Sequence, residues 1–149
     1  MKYLIGIGTF MAWDDSIGLR IAEHIAETGK DDGFKTIVLA GTLIDLVDYV
    51  READMLLLVD SAHMGAKAGE YRFFNPGEVN SMKDGGLGDS HSSDLMAVLD
   101  IAQSVGVSLE GVTIMGIEPE RVDAGDGLSD ALSRRFDEYE KEAVAFMES

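Results

Sequence analysis

Three residues of this 149-residue chain, Asp15, Asp60 and His91, are of types that hold divalent transition metals. Two carboxylates and one imidazole form an oxygen- and nitrogen-donor set that such ions accept. Three protein ligands would leave positions open for water or for ligands brought by a partner. The chain has no cysteine, so no thiolate strengthens the set and no thiol nucleophile exists. Spacing alone leaves other uses open. Asp15 can cap a helix, Asp60 can cap a turn, and His91 can be an ordinary residue of a loop. His63 is a spare ligand candidate better suited to the surface, and His24 falls on the polar side of a helix.

The three residues are far apart in sequence, so a fold must bring them together. Tyr3 to Gly8 reads as a buried first strand. Asp14, Asp15 and Ser16 then offer caps for a helix carrying Ile17, Ile21 and Ile25 on one side and ending at Gly29. Thr36 to Leu39 is a second strand, and Thr42 can cap a short helix with Leu43, Leu46, Val47 and Val50 in one stripe. Met55 to Val59 is a continuous apolar run closing on Asp60, as a central parallel strand requires. Glu70 to Phe74, stopped by Asn75-Pro76-Gly77, suits an edge strand. No period holds from Gly77 to Ser92, where Gly85, Gly86 and Gly88 predict a loop. Ser92 or Ser93 can then cap a helix with Leu95, Val98, Leu99, Ala102 and Val105 inward. Val112 to Ile117 is the last strand, and Ser129 can cap a final helix with Leu132, Phe136, Tyr139, Ala143 and Phe146 inward.

Strands alternating with helices predict an α/β fold: a three-layer sandwich with a mostly parallel, twisted sheet of about five strands and helices on both faces. With no repeats and no linker, residues 1–149 read as one domain. Right-handed crossovers leave few topologies, of which a flavodoxin-like order is the simplest. Ligands then sit beyond the carboxyl ends of the strands, between the first and third. Asp15 follows the first of these strands, Asp60 ends the third, and His91 precedes a helix, so all three can converge on one edge.

Composition narrows the function. Twenty-eight acids against 12 Lys plus Arg give a formal net charge of −16, which repels phosphate backbones and argues against a nucleic-acid partner. The same charge suits a basic or metal-bearing partner, and also plain solubility. No apolar run is long enough to span a membrane or serve as a signal peptide, so a cytoplasmic protein is expected. Gly6-Ile7-Gly8 lacks the third glycine of a dinucleotide fingerprint, since Met11 stands in its place. Phosphate-loop, Gly-x-Ser-x-Gly and His-Glu-x-x-His patterns are absent. Tyr71, Phe73 and Phe74 are explained by a core strand rather than a base-stacking surface.

Four blocks, taken in order, resemble the hydrogenase maturation endopeptidases along nearly the whole chain. They are Gly6-Ile7-Gly8-Thr9 with Asp14-Asp15-Ser16-Ile17-Gly18; Val59-Asp60-Ser61-Ala62; Ser90-His91-Ser92; and Met115-Gly116-Ile117-Glu118-Pro119-Glu120 with Gly127-Leu128-Ser129. The resemblance implies a peptidase that removes the C-terminal extension of a [NiFe]-hydrogenase large-subunit precursor after nickel insertion. It implies that Asp15, Asp60 and His91 contact nickel, mainly while the precursor's own thiolates hold it. It further places Gly41, Thr42 and Gly88 at the substrate, and it assigns no nucleophile.

Two positions depart from the family pattern. Thr9 stands where the family usually has Asn. Leu39-Ala40-Gly41-Thr42 stands where an aspartate usually precedes a Gly-Gly-Thr/Ser turn. Two alternatives therefore remain beside the peptidase: a nickel-dependent docking factor that does not cut, and a flavodoxin-like small-ligand domain without metal.

Overall fold

The computed structural model describes residues 1–41, 43–78 and 90–149, with the backbone alone at 90–94. Five strands form one sheet: β1 (Lys2–Gly8), β2 (Lys35–Ala40), β3 (Met55–Ser61), β4 (Tyr71–Phe74) and β5 (Val112–Ile117). Their order is β2-β1-β3-β5-β4. All pairings are parallel except β4 with β5, where Tyr71 faces Ile117 and Phe74 faces Ile114. The expected edge strand is therefore the antiparallel one. The continuous apolar runs of β1, β3 and β5 follow from burial on both faces.

The helices are α1 (Ile17–Thr28), α2 (Leu46–Glu52), α3 (Ser90–Ser104), α4 (Asp130–Ser133) and α5 (Phe136–Glu148). Alternate strand residues serve two separate cores. Leu4, Leu57, Val59 and Met115 pack with Ile17, Ile21 and Ile25 of α1 and Tyr139 and Met147 of α5. Ile5, Ile7, Leu56, Leu58 and Ile114 pack with Leu46 and Val50 of α2 and Leu95 and Leu99 of α3. Helices thus cover both faces, as the alternation of strands and helices predicts.

Several details differ from the sequence expectation. The third helix begins at Ser90, ahead of Ser92 and Ser93, so His91 lies in its first turn and not in a loop. Val105 falls beyond α3 and is 59% exposed, because the helix has already ended at Ser104. The final helix is broken into α4 and α5. At the break, Arg135 donates through Nη1 to the Gly69 carbonyl (2.7 Å), and its guanidinium lies 5.3 Å from the Tyr71 ring. Tyr139 also donates to Gly69 O, at 2.5 Å, and burial pushes its hydroxyl up to about 12. The remainder of the expected loop, residues 79–89, and Thr42 as a helix cap lie outside the described residues.

Glycine makes the first βα unit possible. A Cβ on Gly6 would stand 2.1 Å from the Gly18 carbonyl oxygen, and one on Gly18 would stand 2.0 Å from that of Val59. The first turn of α1 therefore rests backbone on backbone against β1 and β3. This close approach fixes what precedes α1 over the carboxyl ends of those two strands.

His24 is less solvated than its helix face suggests. Its ring is half-exposed, pairs through Nδ1 with the buried Glu140 carboxylate, and meets Phe136 edge-on at 5.7 Å. Lys30 binds the other oxygen of Glu140. Burial alone would raise Glu140, but the bonds from Lys30 and His24 outweigh it and hold the carboxyl below its ordinary value. A depressed carboxyl stabilises the fold above its unfolded pKa, and that contribution fades as pH falls through the folded one. Glu140→Gln should therefore cost about 1 kcal/mol at pH 7, a modest figure because both partners are half-exposed. In urea titrations the gap between variant and wild type should close below about pH 4, the ordinary glutamate range. A gap of equal size at both pH values would contradict the pairing.

Candidate functional site

The segment between β1 and α1 turns sharply and carries the first acidic pair. Trp13–Ser16 forms one turn of 3-10 helix, and neither Ser16 nor the acids cap α1 through a side chain. The expected capping role is therefore wrong for Asp14 and Asp15, and the two adjacent acids do different things. Asp14 is fully buried. Its carboxylate accepts from the backbone N–H groups of Glu120 (2.8 Å), Arg121 (3.1 Å) and Ser129 (2.8 Å), and from the Ser129 hydroxyl (2.7 Å). This binds the loop after β5 to the loop after β1. Trp13 reinforces the junction: its backbone N–H donates to Gly125 O (3.1 Å), Gly125 leaves no room for a Cβ against the indole, and the Arg121 guanidinium lies 3.9 Å from the ring centroid.

Asp15 turns the other way and is partly exposed. Its Oδ1 accepts from the Ser61 hydroxyl at 2.7 Å. Ser61 is the last residue of β3 and is only 2% exposed. The N–H of Ser61 donates to Oδ1 of the buried Asp60, at 2.8 Å. Asp15 arrives from the α1 layer. Asp60 lies in register with Leu56 and Leu58 on the α2/α3 layer. One residue, Ser61, therefore joins the two carboxylates around the end of β3, at the point where strand order reverses.

The third expected ligand, His91, enters through its backbone. Helix α3 runs from the carboxyl edge of the sheet, where Ala97 and Val98 face Gly8 and Ala40, to the amino edge, where Gln103 faces Leu109. Its first turn, with His91, thus belongs to the same edge as Asp15 and Asp60, while the His91 side chain lies outside the described residues. Among the described residues no group of three His, Asp or Glu side chains could hold a metal by itself.

Glu118, just after β5, supports the loop between β3 and β4. Its Oε1 accepts from Met64 N (2.7 Å) and Ala66 N (3.0 Å), and its Oε2 lies 3.6 Å from Nδ1 of the partly exposed His63. His63 thus stands partly exposed beside the buried Glu118.

A cavity of about 560 Å3 opens at the same carboxyl edge of the sheet, lined by Gly8, Thr9, Phe10, Gly41, Leu43 and Val98 among others. Gly41, expected at the substrate, is one of its walls, with φ +105. Thr42 and Gly88 lie outside the described residues. Leu39, where the family pattern has an acid, is buried with Ile7 and Leu46 and presents no charge there. A cavity of about 440 Å3 lies at the opposite edge, between Asn75, Met96 and Leu109, with Asp100 and Glu110 in its walls.

Sequence reasoning missed Ser61 and the tie made by Asp14. The only sequence signal for either was membership in the motif blocks.

A family model described as hydrogenase maturation protease matches residues 19–146. The chain belongs to the hydrogenase maturation protease family. Consistent with this, it is 24% identical over 146 residues to the hydrogenase expression/formation protein HoxM of Azotobacter vinelandii, covering 97% of this chain and 70% of that protein. It is 26% identical over 151 residues to HupD of Rhodobacter capsulatus, covering 95% and 68%. Its fold is similar to that of the hydrogenase maturating endopeptidase HybD from E. coli, with a TM-score of 0.82 at 18% identity over 99% of this chain and 91% of that one. It is also similar to the [NiFe] hydrogenase maturation protease HycI from Thermococcus kodakarensis, with a TM-score of 0.75 at 19% identity over 99% and 92%. As a member of this family the chain is an endopeptidase of hydrogenase maturation. Among its described residues no helix is long and apolar enough to cross a membrane.

Proposed function

We propose that this maturation protease removes the C-terminal extension of a [NiFe]-hydrogenase large-subunit precursor, and that it does so only when the precursor carries nickel. The observation that supports this most is the joining of Asp15 and Asp60 through Ser61 at the switch point of the sheet. Asp15, Asp60 and His91 are the proposed contacts to nickel, which belongs to the substrate and not to the protease. Carboxylate and imidazole donors without thiolate give modest intrinsic hold on such an ion. Nickel already held by the precursor's thiolates needs only completion of its coordination. Docking then depends on loading, and the partly apolar cavity beside Gly41 receives the chain next to the scissile bond.

Nickel held between the two proteins would fix the scissile bond in place, and positioning alone lowers a barrier by a large amount. The residues of this chain orient the precursor through the two carboxylates. They also shield the region with Phe10 and Leu43 at the cavity wall.

The test uses purified protease with precursor prepared with and without nickel. The size shift of the large subunit reports cutting, and co-elution reports docking. Loaded precursor should bind and shorten, and unloaded precursor should do neither. Equal cutting of both would overturn the nickel requirement. Nickel-dependent docking without a size shift would instead identify a docking factor, and the acid missing at Leu39 would be the first position to restore.

A further inference from the structure

Ser61 stands at the centre of the proposed site, yet it has no metal-binding chemistry of its own. It is buried at the end of β3, and it makes two bonds in two directions: its hydroxyl to Asp15, 46 residues away, and its N–H to Asp60 beside it. We propose that Ser61 is a positioning residue, whose paired donors hold the Asp15 and Asp60 carboxylates in the relative geometry that receives a metal-bearing substrate. This rests on the nickel-dependent reading above.

The physical need is specific to this fold. Asp15 precedes α1 while Asp60 belongs to β3, and Ser61 bonds to both. A carboxylate on a short side chain at a loop start has rotamer freedom, and ordering it at the moment of docking would cost affinity. The Ser61 hydroxyl removes that freedom for Asp15. Its N–H does the same for Asp60. Outer-shell bonds of this kind orient ligands and typically alter affinity 10–100-fold when lost.

Ser61→Ala removes the bond to Asp15 and leaves the backbone bond to Asp60. It exchanges one small buried side chain for another, so the melting temperature should stay close to wild type. Affinity for nickel-loaded precursor, measured by titration against immobilised precursor, should fall about 10-fold. Ser61→Cys retains a weak donor and should recover part of that loss. The decisive measurement is a double-mutant cycle. If Ser61 acts through Asp15, then Ser61→Ala added to Asp15→Ala, which has no side-chain oxygen to accept the bond, should weaken binding much less than it does in the wild-type background. Unchanged affinity in Ser61→Ala overturns the proposal, as does a full additional loss in the Asp15→Ala background. A wild-type protein that binds loaded and unloaded precursor equally overturns the nickel reading itself, which is a separate result visible before any variant is made.

Discussion

Asp15→Asn and His91→Ala are each expected to stop processing of nickel-loaded precursor while leaving the melting temperature nearly unchanged. Asn keeps the size of Asp15 and an oxygen that can still accept from the Ser61 hydroxyl. The bond therefore survives and only the charge is lost. Asp15 is partly exposed, so removing that charge costs the fold little. Coordination of a cation loses much more, because an amide oxygen is a neutral donor in place of an anionic one. Loss of an outer-shell partner alone costs 10–100-fold, so loss of a direct ligand should reduce the rate by at least about 100-fold. The check is a time course of the precursor's size shift beside a thermal melt of each variant. Cutting at the wild-type rate by either variant would remove that residue from the site. A melt lowered by many degrees together with lost cutting would point to a structural role instead.

The frame of the site was legible because parallel strands leave strong marks. Met55 to Val59 and Val112 to Ile117 are apolar without alternation, as strands covered on both faces must be. Once they are central, right-handed crossovers bring the ends of β1 and β3 together. Asp15 and Asp60 then follow from chain position alone. The start of α3 was not legible in the same way. Ser90, Ser92 and Ser93 are all adequate caps, and local chemistry does not choose among them. The break between α4 and α5 was hidden by its own geometry. Leu132, Tyr139 and Ala143 remain buried on one side across it, so the apolar period passes through without a mark.

Long-range polar bonds were the least legible part. Ser61 lies 46 residues from Asp15, and the donors to Asp14 come from 106 to 115 residues away. Local rules read acids ahead of a helix as caps, because a cap is the partner such residues most often find. Here the tertiary fold offers both acids better partners. The pattern Asp14-Asp15 therefore conceals a division of labour that only the three-dimensional arrangement separates.

That division gives the largest expected effect on stability. Asp14→Ala should destabilise the protein by about 3–5 kcal/mol, although its neighbour Asp15 tolerates change. Four donors converge on the Asp14 carboxylate, and two of them, the N–H and hydroxyl of Ser129, are buried. An unsatisfied buried donor costs about 1–3 kcal/mol, so the Ser129 pair alone accounts for most of the loss. Glu120 and Arg121 are exposed residues whose N–H groups can turn to water, so they add less. Asp14→Asn should lie between, since one oxygen still accepts while the amide nitrogen opposes a donor. The consequences extend beyond the melt. With the Asp14 carboxylate gone, the loop after β5 is held to the loop after β1 by backbone bonds, Asp14 N to Arg121 O, Trp13 N to Gly125 O and Gly125 N to Met11 O, and by the stacking of Arg121 on Trp13. Hydrogen exchange should speed first at Ser129 and Arg121, while the amides of β3 stay protected until global unfolding. Urea titration gives the free-energy difference, and exchange gives its location. A cost near zero, or exchange that rises equally in β3 and in the loop after β5, would show that Asp14 does not tie the two loops together.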